Sequence, residues 1–116
     1  MRDTLRDHTH GRIWRITYKN KKLSPVVDLT KLTIEQLLDQ LKAYENRLRY
    51  RVRTQLRQLP AETVIPALQK WIAALDVNDK DYEQNRLEAL WVYQQFNVPD
   101  EKLLDELLKS RERHIR

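Results

Sequence analysis

One short pattern recurs three times along this chain. It has the form Glu-x-φ-φ-x-x-Leu, where φ is an apolar residue, and its copies occupy residues 35–41, 62–68 and 101–107. Apolar residues at this spacing fall on one face of an α-helix, and that face must be buried against another element. Other helical stretches separate the copies. Because helix pairs that alternate in this way stack on one another, we interpret the chain as a HEAT-like α-solenoid, with a closed four- or five-helix bundle as the alternative.

The apolar period and the capping residues predict about five helices. Their expected bounds are 33–42, 46–59, 63–75, 81–96 and 100–109. A single glycine and four prolines in 116 residues agree with a mainly helical chain. Thr33 and Gln36 form a capping box that begins the first helix. Proline is best tolerated in the first turn of a helix, so Pro66 predicts that the third helix begins near Thr63.

The N-terminal part has a different period. In residues 11–18, Trp14, Ile16 and Tyr18 alternate with polar residues, which is the pattern of a β-strand. A strand needs partners for its backbone N–H and C=O groups, and the only apolar pair nearby, at 26–27, is short and follows a proline. The segment therefore predicts an orphan strand, which pairs weakly as a hairpin or belongs to a sheet in sequence outside this chain.

The change of period divides the chain into two parts. Asn20–Ser24 is expected to be a basic linker, so that residues 1–32 hold the strand and linker and residues 33–116 hold the helical segment. We expect the helical segment to be truncated at its C-terminus, because the last residues look like the first turn of a further helix.

The chain offers few groups for chemistry. It contains no cysteine, which excludes a disulfide framework, a cysteine zinc site and a Cys-x-x-Cys-His attachment site for haem. His8 and His10 lie beside Asp3 and Asp7, but such side chains in a terminal tail favour solvated groups over a metal site. No glycine-rich phosphate loop or nucleophile elbow occurs. We therefore expect no metal, no cofactor and no catalytic activity.

No targeting or membrane segment is expected. The N-terminus lacks an apolar signal-peptide core, and the longest apolar stretch, Val64–Leu75, is interrupted by Gln69 and Lys70. The sequence predicts a soluble chain without an export signal.

Positive charge is concentrated in the first half of the chain. Residues 1–57 hold 14 Lys and Arg against 6 Asp and Glu, and the whole chain has a net charge of +5. Arg49, Arg53 and Arg57 recur at the spacing of one helix face, as in helices that present cations to phosphates. A solvated, arginine-rich outer face is the simpler interpretation, and we favour it over binding of nucleic acid or another polyanion.

The last predicted helix carries adjacent pairs of leucines, Leu103 with Leu104 and Leu107 with Leu108. Adjacent residues diverge by about 100° around a helix, so the four side chains cannot all face one neighbour. Some of this surface is expected to be exposed, and exposed leucines are favourable to cover. We expect apolar docking of a partner here, or self-association through an open C-terminal end.

Several stretches resemble one part of a large family, the PVC-type haem-binding, membrane-bound dehydrogenases. They are Gly11-Arg-Ile-Trp-Arg-Ile-Thr-Tyr18, the basic linker after it, Tyr50-Arg-Val-Arg with Leu56, Leu87-Glu-Ala-Leu-Trp-Val-Tyr-Gln-Gln-Phe-Asn-Val98, and the leucines from 103 to 108. In that family a dehydrogenase-like β-propeller ends in a Gly-x-Ile-x-Arg-Ile strand, a HEAT-repeat segment follows, and a cytochrome c domain comes later.

The resemblance implies that this chain is the end of a propeller plus the start of the HEAT segment. The parent protein would then be redox-active and exported, either periplasmic or membrane-associated. No catalytic residue transfers to this chain, which lacks the propeller loops and the haem motif. We expect a non-catalytic scaffold that holds neighbouring domains or a protein partner, with a nucleic-acid- or polyanion-binding module as the alternative.

Overall fold

The computed structural model describes residues 11, 14, 16–20 and 25–116. All regular structure in these residues is helical. The α-helices are α1 (Ile34–Asp39), α2 (Asn46–Leu56), α3 (Ala61–Ala73), α4 (Tyr82–Gln95) and α5 (Glu101–Leu108). Two short 3-10 turns, Leu29–Lys31 and Gln40–Lys42, precede and follow α1. The prediction of a helical chain with five helices is confirmed.

Local capping fixes where two of the helices begin. At α1 the Gln36 N–H donates to Thr33 Oγ1 at 3.3 Å, and the Thr33 N–H donates to Gln36 Oε1 at 3.0 Å. This is the predicted capping box. At α5 the Leu103 N–H donates to Asp100 Oδ1 at 3.0 Å. Both caps satisfy backbone donors that have no partner within the helix.

The predicted start of α3 is wrong. The helix begins at Ala61 directly after Pro60, so Pro66 lies in its second turn. Pro66 has no N–H to donate to the carbonyl of Glu62, and its ring crowds that carbonyl. Both residues are exposed, which places the broken bond on the solvent side of the helix. Pro60, with a φ of −63°, is the N-cap residue, and its side chain makes no capping hydrogen bond.

The predicted orphan strand at 11–18 is not supported. Gly11, Trp14 and residues 16–18 form no strand in the structure, and residues 12, 13 and 15 lie outside the described part. The physical reason is the lack of a second strand in the described residues, without which the backbone hydrogen bonds of a strand cannot form. The basic linker falls largely on residues 21–24, which also lie outside the described part.

The core consists of leucines and valines from successive helices. α1 packs against α2 and α3, α3 packs against α4, and α4 packs against α5. The side chains that are almost fully enclosed are Leu37, Leu38, Leu41, Val52, Leu56, Val64, Leu68 and Val92. Trp71 of α3 is also buried, and its Nε1–H donates to Asp39 of α1 at 3.0 Å. In the part of the chain that is described, no helix has the length and apolar character needed to cross a membrane.

Candidate interaction surfaces

A buried carboxylate ties α4 to α2. The core-facing stripe of α4 includes Asn85 and Glu88 as well as apolar residues. Only 4% of the Glu88 side chain is exposed. Arg49 Nε lies 2.9 Å from Glu88 Oε1, and the Arg53 guanidinium donates to Oε2. Gln84 Nε2 also donates to Oε1, at 3.3 Å. Two arginines therefore balance the buried carboxylate and an amide adds a hydrogen bond to it, which is the condition for such a charge to be tolerated.

Arg49 has a second role next to the turn that precedes α2. Its guanidinium donates to the carbonyl oxygens of Ala43 at 2.7 Å and Tyr44 at 3.0 Å. The same side chain thus holds the turn between α1 and α2 and pairs with Glu88 on α4. Charge-assisted bonds of this kind are stronger than neutral ones, so this arginine fixes three elements relative to one another.

This pairing separates the three arginines that the sequence places on one face of α2. Arg49 and Arg53 are turned toward Glu88 and are largely buried, whereas Arg57 is exposed. Glu88 was not predicted from the sequence as their partner. A signal was present, since Asn85, Glu88 and Val92 share a helix face with Ala89, and a carboxylate on an otherwise apolar face requires a cation.

The outward face of α2 carries two further arginines, together with a tyrosine and a threonine. Arg47, Tyr50, Arg51 and Thr54 recur at the spacing of one helix face and are all exposed. No acidic residue lies among them. Arg51 is close enough to Asp28 to contribute to the lowered pKa of that carboxyl, after its hydrogen bonds from Thr30 and Lys31.

α5 buries one half of its leucines. Leu103 and Leu107 are buried against α4, whereas Leu104 is 42% exposed and Leu108 is 54% exposed. The helix is tied to α4 by an ion pair between Arg86 and Glu106. The chain after α5 continues along α4, where the Ser110 hydroxyl donates to Glu83 and Ile115 is buried.

An apolar groove of about 360 Å³ lies where α4 ends and α5 begins. Its lining residues are Leu90, Trp91, Tyr93, Gln94, Asn97, Val98, Pro99, Asp100 and Leu104. The groove is shaped by the end of α4, where Asn97 adopts a left-handed φ of 58°. The Val98 N–H then donates to the Tyr93 carbonyl at 3.1 Å and the Asn97 N–H to Gln94 at 3.0 Å. This is a Schellman motif, and it brings Val98 back over the helix end.

Two electrostatic features border this groove. Burial raises the pKa of Tyr93 above its usual value of 10.0, and the Asp100 carboxylate raises it further. Asp100 itself lines the groove, and α5 carries Glu101, Asp105 and Glu106 nearby in sequence. The groove therefore has a mainly apolar lining, with the Asp100 carboxylate where α5 begins.

A second cleft, of about 590 Å³, lies between the end of the Gln40–Lys42 turn and the start of α4. Its lining includes the polar side chains of Lys80, Glu83 and His114. Within the described residues, no group of three or more histidine, aspartate or glutamate side chains is placed to hold a metal ion. Asp3, Asp7, His8 and His10, the terminal residues considered as metal ligands, lie outside the described part. The cleft thus offers polar surface without a convergent set of ligands.

Comparisons of this chain with models of protein families, with curated proteins and with solved structures found no match. The resemblance to the dehydrogenase family therefore stays a prediction from the sequence.

Proposed function

We propose that this chain is a non-catalytic scaffold, a HEAT-like helical segment that holds neighbouring domains or a protein partner at a fixed geometry. The observation that carries this proposal is the cluster of Arg49, Arg53 and Glu88. It joins α2, from the first helix pair, to α4, from the second pair, across the interior of the stack.

The order of helix contacts supports a stack of pairs. α1 and α2 form one pair, α3 and α4 form the next, and α1 packs on α3. α5 packs on α4. In a stack of this kind each pair contacts its neighbours, so the position of one end relative to the other is set by successive interfaces. The resemblance adds the identity of the connected parts: a propeller on one side and a cytochrome c domain on the other.

The scaffold proposal predicts a single, narrow distance between the first helix pair and α5. The chain has no cysteine, so two introduced cysteines provide the only sites for spin labels. We place them at Arg47→Cys on α2 and Lys102→Cys on α5, both exposed positions. We expect a distance distribution in pulsed electron spin resonance about as narrow as that of a control pair within one helix, Arg47→Cys with Thr54→Cys.

The same labelled pair in a Glu88→Gln background provides the matched comparison. The charge cluster is then incomplete, and the distribution should broaden while the control pair in α2 stays narrow. A broad or two-peaked distribution in the otherwise unaltered chain would contradict the proposal, because a flexible segment cannot set the geometry of its neighbours.

A second candidate function is binding of a single-stranded nucleic acid or another polyanion. One observation favours it, namely the outward face of α2, where Arg47 and Arg51 flank the exposed Tyr50. Cations with an adjacent aromatic ring are the groups that contact phosphates and stack on bases. We prefer this face to Arg49, Arg53 and Arg57 as the anion-binding surface, because Arg49 and Arg53 pair with Glu88.

For this second candidate we expect a negative result at physiological salt. Two exposed arginines release few counterions, so binding of a labelled oligonucleotide should be no tighter than about 10⁻⁶–10⁻⁴ M, the nonspecific range. Fluorescence anisotropy against salt concentration measures it. Tighter binding that is lost in Arg47→Ala/Arg51→Ala, and kept in the control Lys102→Ala/Lys109→Ala on α5, would favour polyanion binding over the scaffold.

A further inference from the structure

We propose that the chain forms a dimer by exchange of its N-terminal segment, with Trp14, Ile16 and Tyr18 of one copy seated on the α4–α5 groove of the other. The groove together with the exposed leucines of α5, Leu104 and Leu108, is the receiving surface. The occupant is a second copy of this chain.

The N-terminal segment carries three apolar side chains that are exposed in the described part of the chain. Trp14 is 80% exposed, Ile16 97% and Tyr18 72%. When such a segment binds in extended form, its period-two spacing places all three on one side. Exposed aromatic and β-branched residues grouped in this way are typical of a surface that binds protein.

The receiving surface is apolar in the same way. Trp91, Val98, Leu104 and Leu108 are among the exposed large apolar side chains, and the first three line the groove. Leu104 and Leu108 lie one helical turn apart on the solvent side of α5. The groove and this leucine pair therefore form one continuous strip along α5.

Charge makes the two surfaces complementary. Between Gly11 and Lys22 the sequence has five lysines and arginines and no acidic residue. From Asp100 to Leu108 it has four acidic residues and one lysine, and three of the four, Asp100, Glu101 and Asp105, are not the one that pairs with Arg86. Opposite charges around an apolar contact select the correct partner and raise the rate of encounter. This charge pattern is the reason to assign the segment, rather than a second α5, to the groove, because two α5 faces would bring carboxylates together.

Among the described residues, nothing covers the groove or the side chains of Trp14, Ile16 and Tyr18, and we assign the docked segment to a second copy. An aromatic side chain buries roughly 150–250 Å², so one docked segment accounts for on the order of 1,000 Å² when both surfaces are counted. A specific interface needs about 1,200–2,000 Å². Two reciprocal contacts reach that range and one does not, which favours a closed two-fold dimer over a chain of single contacts.

The dissociation constant of the dimer tests the proposal. Sedimentation velocity over a range of concentrations should show a monomer–dimer equilibrium for the full chain. Trp14→Ser/Ile16→Ser and Leu104→Ser/Leu108→Ser should each weaken it by roughly 30-fold or more, the effect of removing central apolar anchors. Val26→Ser/Val77→Ser removes two other exposed apolar side chains and should leave it unchanged. Because all these positions are exposed, the helical circular dichroism should not change.

Cysteine cross-linking shows which molecule supplies the segment. An Ile16→Cys preparation mixed with a Leu104→Cys preparation should give the mixed disulfide-linked dimer under mild oxidation, in larger yield than either preparation alone. Three results would overturn the proposal: a chain that stays monomeric at every concentration, an internal disulfide in the monomeric Ile16→Cys/Leu104→Cys double variant, or a dimer that Trp14→Ser/Ile16→Ser leaves intact.

Discussion

Replacing Glu88 with glutamine is expected to lower the free energy of unfolding by about 3 kcal/mol, because removing one partner leaves buried charge uncompensated. Arg49 and Arg53 would then face an amide that cannot neutralise them, in a site from which water is largely excluded. Urea denaturation followed by far-ultraviolet circular dichroism measures the change.

An exposed ion pair provides the matched control. Glu106 pairs with Arg86 between α5 and α4, but 44% of its side chain is exposed. Glu106→Gln makes the same chemical change and should cost less than about 1 kcal/mol, since solvent screens such pairs. If the two variants were equally stable, the carboxylate of Glu88 would have no special part in joining α2 to α4.

A triple variant distinguishes the cost of leaving buried arginines unpaired from the loss of the ion pairs themselves. Arg49→Met, Arg53→Met and Glu88→Met together leave no unpaired charge, so this protein should be more stable than Glu88→Gln alone. It should not exceed the unaltered chain, because Arg49 also donates to the carbonyls of Ala43 and Tyr44. Those bonds would be lost with it.

Leu107→Ala is expected to destabilise the protein by about 3 kcal/mol, whereas Leu108→Ala should change its stability by less than about 0.5 kcal/mol. The two leucines are adjacent on α5, but Leu107 is buried against α4 and Leu108 projects into solvent. The cost of the first substitution combines lost burial with the cavity left behind.

Hydrogen exchange along α5 complements the stability measurement. In Leu107→Ala the amides of residues 101–108 should exchange faster, while those of α1 and α3 change less, since each helix depends most on its neighbours. Equal and small effects of the two substitutions would mean that α5 is frayed rather than docked. That result would also remove the basis for a receiving surface on α5.

The number, type and approximate bounds of the helices followed from the sequence alone. Local chemistry decides these features: the 3.6-residue period, the capping box at Thr33 and the cap at Asp100 act over a few residues. The start of α3 did not follow, because the helix begins directly after Pro60 and accommodates Pro66 in its second turn. The expected strand failed for a related reason. Period-two spacing sets which face a strand would present, but strand formation depends on a partner that pattern alone does not supply.

Tertiary structure decided which charges and which leucines are available to a partner. The arginines at 49, 53 and 57 share one helix face in sequence, yet only the packing of α4 on that face reveals that Glu88 engages two of them. Likewise, the four leucines of α5 are equivalent by composition, and the position of α4 alone separates the buried pair from the exposed pair. Ion pairs between residues distant in sequence depend on how the helices are placed relative to one another. Burial then determines whether a charged side chain pairs inside the protein or remains available to a ligand.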